Sequence, residues 1–131
     1  MSALTPEAFL GIDRLYGAGS VARLQSASVL VVGIGGVGSW VAEGLARSGI
    51  GRVALADLDD LCVSNPNRQI HALEGQYGRP KITVMAERMR LISPAMHVLE
   101  LHTFVTEKTV ETVLDHGFDL VIDCGDHQMA K

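Results

Sequence analysis

Ser28-Val29-Leu30-Val31-Val32-Gly33-Ile34-Gly35-Gly36-Val37-Gly38 is the stretch that decides the fold. Val29 to Val32 form an unbroken apolar run, the pattern of a strand covered on both faces rather than one. Three glycines follow at once in the order G-x-G-x-x-G, and the apolar and polar residues from about Val37 to Arg47 then suit a helix. Strand, glycine turn and helix in that order start a βαβ unit, in which the first glycine permits a tight turn. The second lets a phosphate approach the backbone, and the third lets helix and strand pack closely.

Outward from this unit the chain repeats the alternation. Ser48-Gly49-Ile50 closes the first helix, with Gly49 suited to the left-handed conformation and Ile50 to folding back as its apolar contact. A second strand is predicted from about Arg52 to Ala56, ending on Asp57. The polar stretch Asp59 to Gly78 is too long for a simple connector. A helix from about Pro80 to Ile92 carries Ile82, Met85, Ala86, Met89 and Ile92 on one face, and Ser93-Pro94 stops it. His97 to Leu101 reads as a third strand, Thr106 to His116 as a helix capped by Thr106, and Asp119 to Ile122 as a fourth strand. The expected fold is α/β: a Rossmann-like, doubly wound, mainly parallel sheet with helices on both faces. Residues 1–27 are expected to form an N-terminal helical segment, and residues 28–131 the nucleotide-binding domain. A doubly wound sheet does not usually stop at a strand, so the chain is expected to be the N-terminal part of a longer protein.

Composition narrows the function. The 131 residues amount to about one domain, 47% of them apolar and 20% charged. No apolar run is long enough to span a bilayer and no secretory leader is apparent, so a cytoplasmic location is expected. The net charge of -4 argues against a chain that is basic as a whole. Cys62 and Cys124 have no CxxC spacing, which argues against a disulfide framework or a zinc site here, and packing explains both. His97, His102 and His116 lack metal-ligand spacing; His71 follows the polar stretch and could itself border the site. Trp40 reads as helix packing near the glycine loop.

Asp57, 19 residues beyond Gly38 at the end of the second strand, is placed to bond ribose hydroxyls. These features indicate a nucleotide without saying which. Asn65-Pro66-Asn67-Arg68-Gln69 narrows the choice. A dinucleotide enzyme needs no extra cations at its pyrophosphate, whereas cleavage of ATP between its α- and β-phosphates builds charge on the departing pyrophosphate. Arg68 and, thirteen residues later, Lys81 supply such cations. A lysine in the first turn of a helix opposes the macrodipole unless an anion lies nearby. Asp126, just past the fourth strand, sits on the edge where open α/β sheets bind ligands, and its carboxylate suits a magnesium ion bridging phosphates.

GIGGVGSW, ADLD, SNPNRQ, a lysine opening a helix and DCGD, in that order, resemble the ubiquitin-activating-like adenylyltransferase superfamily. The resemblance covers about Ser28 to Lys131. It implies that ATP is bound with Mg²⁺ by Gly33, Gly35, Gly36, Gly38, Asp57 and Asp59, with Asp57 at the ribose. It further implies that Asn67, Arg68 and Lys81 contact the phosphates, and that Asp126 holds magnesium. Arg68, Lys81 and Asp126 are the implied catalytic residues. Arg14 is the nearest candidate for an N-terminal arginine that the superfamily often supplies from a partner subunit. Many relatives have Asp-Asn where this chain has Asp126-His127.

Arg14-Leu15-Tyr16-Gly17, the glycine loop through Trp40, and Asn67-Arg68-Gln69-Ile70-His71-Ala72-Leu73 are similar to one branch, the dehydratases of threonylcarbamoyladenosine in tRNA. That likeness implies activation of the threonyl carboxylate by ATP and intramolecular closure of the acyl-adenylate, with a tRNA partner and a homodimer. The alternatives are an enzyme activating the C-terminus of a ubiquitin-like sulfur-carrier protein, an NAD-dependent dehydrogenase, and a nucleotide-binding module without catalysis. Arg68, Lys81 and Asp126 disfavour the dehydrogenase.

Overall fold

A computed structural model describes residues 7–125. Its four strands are β1 (Ser28–Val32), β2 (Arg52–Ala56), β3 (His97–Leu101) and β4 (Leu120–Asp123), paired in parallel in the order β3-β2-β1-β4. The chain winds outward from β1 through β2 to β3, then crosses back to lay β4 on the other side of β1. This is the expected doubly wound sheet, and the direction of winding reverses between β1 and β4.

Alternation within the central strands accounts for the two-sided core. Val29 and Val31 of β1, with Val53 and Leu55 of β2, pack against α3 (Gly38–Arg47) and α4 (Lys81–Ile92) through Ala42, Ala46, Ile82, Met85 and Met89. Leu30, Val32, Ala54 and Ala56 face the other way, toward Val113 of α5 (Val110–Leu114) and Phe118. Every second residue therefore serves a different helical layer, as a buried parallel strand requires. Between α3 and α4, buried Glu43 accepts from Arg88 Nε at 2.6 Å and from Arg47 Nε at 2.7 Å. The guanidinium of Arg88 beside it holds the Glu43 carboxyl below the usual carboxylate range.

Before the sheet come a 3-10 turn (Glu7–Phe9), α1 (Leu10–Tyr16) and α2 (Ser20–Gln25). The Phe9 ring lies against Gly49, which has φ 77° in the turn ending α3, and Val21 is fully buried. Asp13 joins the two helices by accepting from Val21 N at 2.9 Å.

Two boundaries differ from expectation. The helix expected over Thr106–His116 is confined to Val110–Leu114, and Thr106 does not cap it. The Thr109 hydroxyl donates to Phe104 O at 2.6 Å and accepts from Thr106 N at 2.9 Å, so short polar side chains tie this backbone into a turn instead. The fourth strand begins at Leu120 rather than Asp119. Asp119 instead closes the strand's start, its carboxylate accepting from Ser28 N at 2.8 Å. Among the described residues no helix is long and apolar enough to cross a membrane.

Candidate functional site

The reversal between β1 and β4 opens a cavity of about 540 Å³ at the carboxyl ends of the strands. That is the size range of a small-molecule or nucleotide pocket. One wall is the glycine loop, contributing Gly33, Gly35, Gly36 and Val37. The first and last glycines of the motif are required by packing alone. Gly33 has φ 86°, and a Cβ there would come within 2.9 Å of Gly125 in the turn after β4. A Cβ on Gly38 would lie 1.6 Å from the carbonyl oxygen of Gly33, so Gly38 lets α3 start against the end of β1 and does not itself line the cavity. Gly35 and Gly36 differ: their open faces meet nothing closer than Gln69 at 3.8 Å and Arg68 at 3.4 Å. Their small size keeps the cavity open next to the start of α3, where amide N–H groups favour an anion.

Asp57 ends β2 at the back of the cavity and is buried. One carboxylate oxygen accepts from Ile34 N at 2.7 Å and the other from Asp59 N at 2.9 Å. The carboxylate thus braces the glycine loop from the neighbouring strand, and each oxygen keeps further acceptor capacity. Asp59 is exposed on the cavity rim, and its carbonyl accepts from Lys81 N at 3.0 Å.

The long polar stretch after Asp59 folds back on itself. Leu61 N donates to Arg79 O at 2.9 Å, Gly78 N to Leu61 O at 2.8 Å, and Asp60 bridges Pro80. Leu61, Ala72 and Val84 form a small core beneath it. This closed excursion brings two cations distant in sequence to one cavity. Arg68 lays its aliphatic stem along Gly36, and its Nη1 donates to Asn67 Oδ1 at 2.8 Å and Ser64 O at 3.1 Å. Asn67 is exposed, does not line the cavity, and acts on Arg68. Lys81, the first residue of α4, is only 9% exposed and lines the cavity. Its ammonium makes no hydrogen bond or ion pair among the described residues.

His71 is buried behind this wall rather than on it, with neither ring nitrogen partnered among the described residues. Burial, reinforced by the positive charge of Lys81, pushes its pKa down to about 4, which keeps the imidazole neutral at ordinary pH. Arg14 lies exposed on α1 and does not line the cavity. Asp126 and His127 lie outside the described residues. The turn leading to them contributes Cys124 and Gly125 to the cavity, Gly125 N donating to Asp123 Oδ1 at 3.0 Å.

Sequence reading missed Phe104, Val105 and Thr106, which follow β3 and close the far wall. The available signal was their place at the carboxyl end of a sheet strand, masked by assigning Thr106 to a helix cap. Together the residues make a cavity with an apolar end at Phe104 and Val105. A cationic, amide-rich end lies at Lys81, Arg68 and Gly36, with a carboxylate between them. Among the described residues there is no group of three or more His, Cys, Asp or Glu side chains able to hold a metal ion.

Known proteins share this fold. The tRNA threonylcarbamoyladenosine dehydratase of Haemophilus influenzae is 49% identical over 123 residues, which are 94% of this chain and 47% of that protein. The chain therefore spans just under half the length of this curated relative. The crystal structure of the Escherichia coli tRNA N6-threonylcarbamoyladenosine dehydratase, TcdA, superposes with a TM-score of 0.92 at 47% identity, over 97% of this chain and 53% of that one. Its complex with ATP gives 0.91 at 47% identity, over 95% and 53%. The ThiF family model matches residues 10–131, almost the whole of the fold and cavity just described, and on that evidence the chain belongs to the ThiF family.

Proposed function

We propose that this chain is the nucleotide-binding half of an ATP-dependent enzyme that adenylates a carboxylate. The proposed acceptor of the whole protein is the threonyl carboxylate of N6-threonylcarbamoyladenosine in tRNA. The observation that carries the reading is Lys81: a cation on a residue only 9% exposed, lining a cavity bounded by a glycine loop and making no ion pair or hydrogen bond among the described residues. A cation held there beside free helix-start amides suits an anionic phosphate. That the E. coli relative was crystallised with ATP supports the same ligand.

In this reading the polyphosphate lies along Gly35 and Gly36 at the start of α3, with Lys81 and Arg68 neutralising it and Asn67 orienting Arg68. Asp57 accepts from the ribose with the acceptor capacity left after bracing the loop. Phe104 and Val105 offer an apolar wall to the base. Attack of the carboxylate oxygen on the α-phosphorus forms the acyl-adenylate and expels pyrophosphate, whose developing charge Lys81 and Arg68 stabilise. Attack on the acyl carbon from within the substrate then closes the ring and releases AMP, a step made easy by proximity. Magnesium arriving with ATP needs only one or two carboxylates alongside the phosphates. Asp126 is the proposed ligand, and the positive charge of the magnesium would lower repulsion between phosphate oxygens.

A homodimer is part of the proposal, with Arg14, exposed and outside its own chain's cavity lining, as the group offered to the second copy. A tRNA substrate implies a cytoplasmic enzyme. The test is thermal: Mg²⁺ and ATP should raise Tm more than NAD does, and equal or reversed shifts would sink the reading.

A further inference from the structure

Trp40, the only tryptophan of the chain, is 54% exposed on α3. A large ring is ordinarily kept out of water, and helix packing alone does not account for one left half outside. Its indole Nε1 instead donates to the carbonyl oxygen of Arg68 at 2.8 Å. The two residues are 28 apart in sequence: Trp40 lies on α3, just past the glycine loop and outside the cavity lining, and Arg68 on the folded-back excursion, where it lines the cavity. Arg68 N also donates to Asn65 O at 3.2 Å within its own turn, and three further contacts hold the residue. Its carbonyl is held by Trp40, its stem lies along Gly36, and its guanidinium is turned by Ser64 and Asn67.

The Trp40 to Arg68 bond lies in solvent, so water can replace the indole at that carbonyl without leaving a buried group unsatisfied. The contact is therefore a poor device for global stability. Its effect falls on geometry: it fixes one exposed loop backbone relative to the helix that starts at the glycine loop. Fixing an arginine backbone before ligand arrives removes part of the ordering cost of binding.

We propose that Trp40 is a positioning residue, whose indole N–H docks the Arg68 backbone on α3 and so sets where the Arg68 guanidinium meets the nucleotide phosphates. This inference rests on the ATP-binding reading. The same bond makes Trp40 a built-in reporter, because indole emission responds to its hydrogen bonding and to a phosphate placed beside Arg68.

The experiment is a double-mutant cycle on the full chain, with calorimetric titration of ATP and Mg²⁺ into the parent, Trp40→Phe, Arg68→Ala and the double variant. Phenylalanine keeps an apolar ring, though a smaller one, and removes the N–H donor. Trp40→Phe is expected to weaken ATP binding about three- to tenfold at unchanged Tm, the range of one neutral hydrogen bond. In the Arg68→Ala background the same change should have no further effect, and ATP should alter the emission of the parent but much less that of Arg68→Ala. A parent chain that binds no ATP overturns this inference together with the reading beneath it. ATP binding in Trp40→Phe equal to the parent, or an equal fold loss in both backgrounds, overturns the positioning role alone.

Discussion

Asp57 Oδ2 accepts the backbone N–H of Ile34 across 2.7 Å of buried space, joining the end of β2 to the glycine loop that follows β1. The bond makes the shape of the loop depend on the residue expected at the ribose. Asp57→Ala removes the acceptor for two backbone donors, Ile34 N and Asp59 N. We expect a loss of about 2 to 4 kcal/mol in stability, since charge-assisted bonds to buried donors go unmade. ATP affinity should fall as well. Chemical denaturation and titration calorimetry measure the two, and unchanged stability would show that Asp57 does not brace the loop.

The glycines of the motif should separate by role. Gly38→Ala puts a methyl 1.6 Å from Gly33 O, so it should destabilise the fold by about 3 kcal/mol or more. Gly35 has no positive φ, and its nearest neighbour beyond a built Cβ is 3.8 Å away. Gly35→Ala should therefore leave the denaturation midpoint nearly unchanged, while adding bulk to a residue that lines the cavity and so weakening ATP binding. Equal stability losses in both variants would contradict this division.

Lys81→Met replaces an ammonium that makes no ion pair or hydrogen bond among the described residues with an apolar side chain of similar length. Stability in the absence of nucleotide should change little, because no such interaction is lost. The stabilisation gained from ATP should be lost, and in the longer protein AMP formation should cease. Scanning calorimetry with and without ATP, plus an AMP assay, reads all three. AMP release at the parental rate would remove Lys81 from the mechanism.

His71 predicts a pH dependence. Its folded pKa of about 4 lies below the ordinary 6.5, so between these values the unfolded chain binds the extra proton and the folded one does not. Stability therefore falls as pH drops through that window and is fully present above it, by on the order of 3 kcal/mol in all. Glu43, also lowered, adds its own loss only at more acid pH, below 4.5. His71→Leu should flatten the stability profile between pH 6.5 and 4; an unchanged slope there would show that the histidine does not carry it.

Much of the architecture is legible in local sequence. The segments 28–32, 52–56 and 97–101 become strands with those bounds; the apolar runs 29–32 and 53–56 carry the signature of strands covered on both faces, whereas β3, at the sheet edge, is only partly buried and carries His97 and Glu100. Gly33 and Gly38 are legible too, since only glycine fits where two backbone segments nearly touch. The α5 boundary was not legible, because hydroxyls of Thr106 and Thr109 serve a turn as readily as a cap.

What the sequence by itself determined was the order of strands and helices, the position of the glycine turn and the presence of Arg68 and Lys81 as cations of interest. What only the tertiary structure decided was their company. The folded-back stretch between Asp59 and Pro80 brings Arg68 onto Gly36 and sets Lys81 beside the cavity without a partner among the described residues. It leaves Asn67 on Arg68 and outside the cavity lining, and Trp40 bonded to a backbone 28 residues away. Periodicity records which face of an element is buried. Two cations at one cavity, a hydrogen bond between a helix and a distant loop, and the space left beside a glycine arise only when segments distant in sequence meet, so no local pattern encodes them.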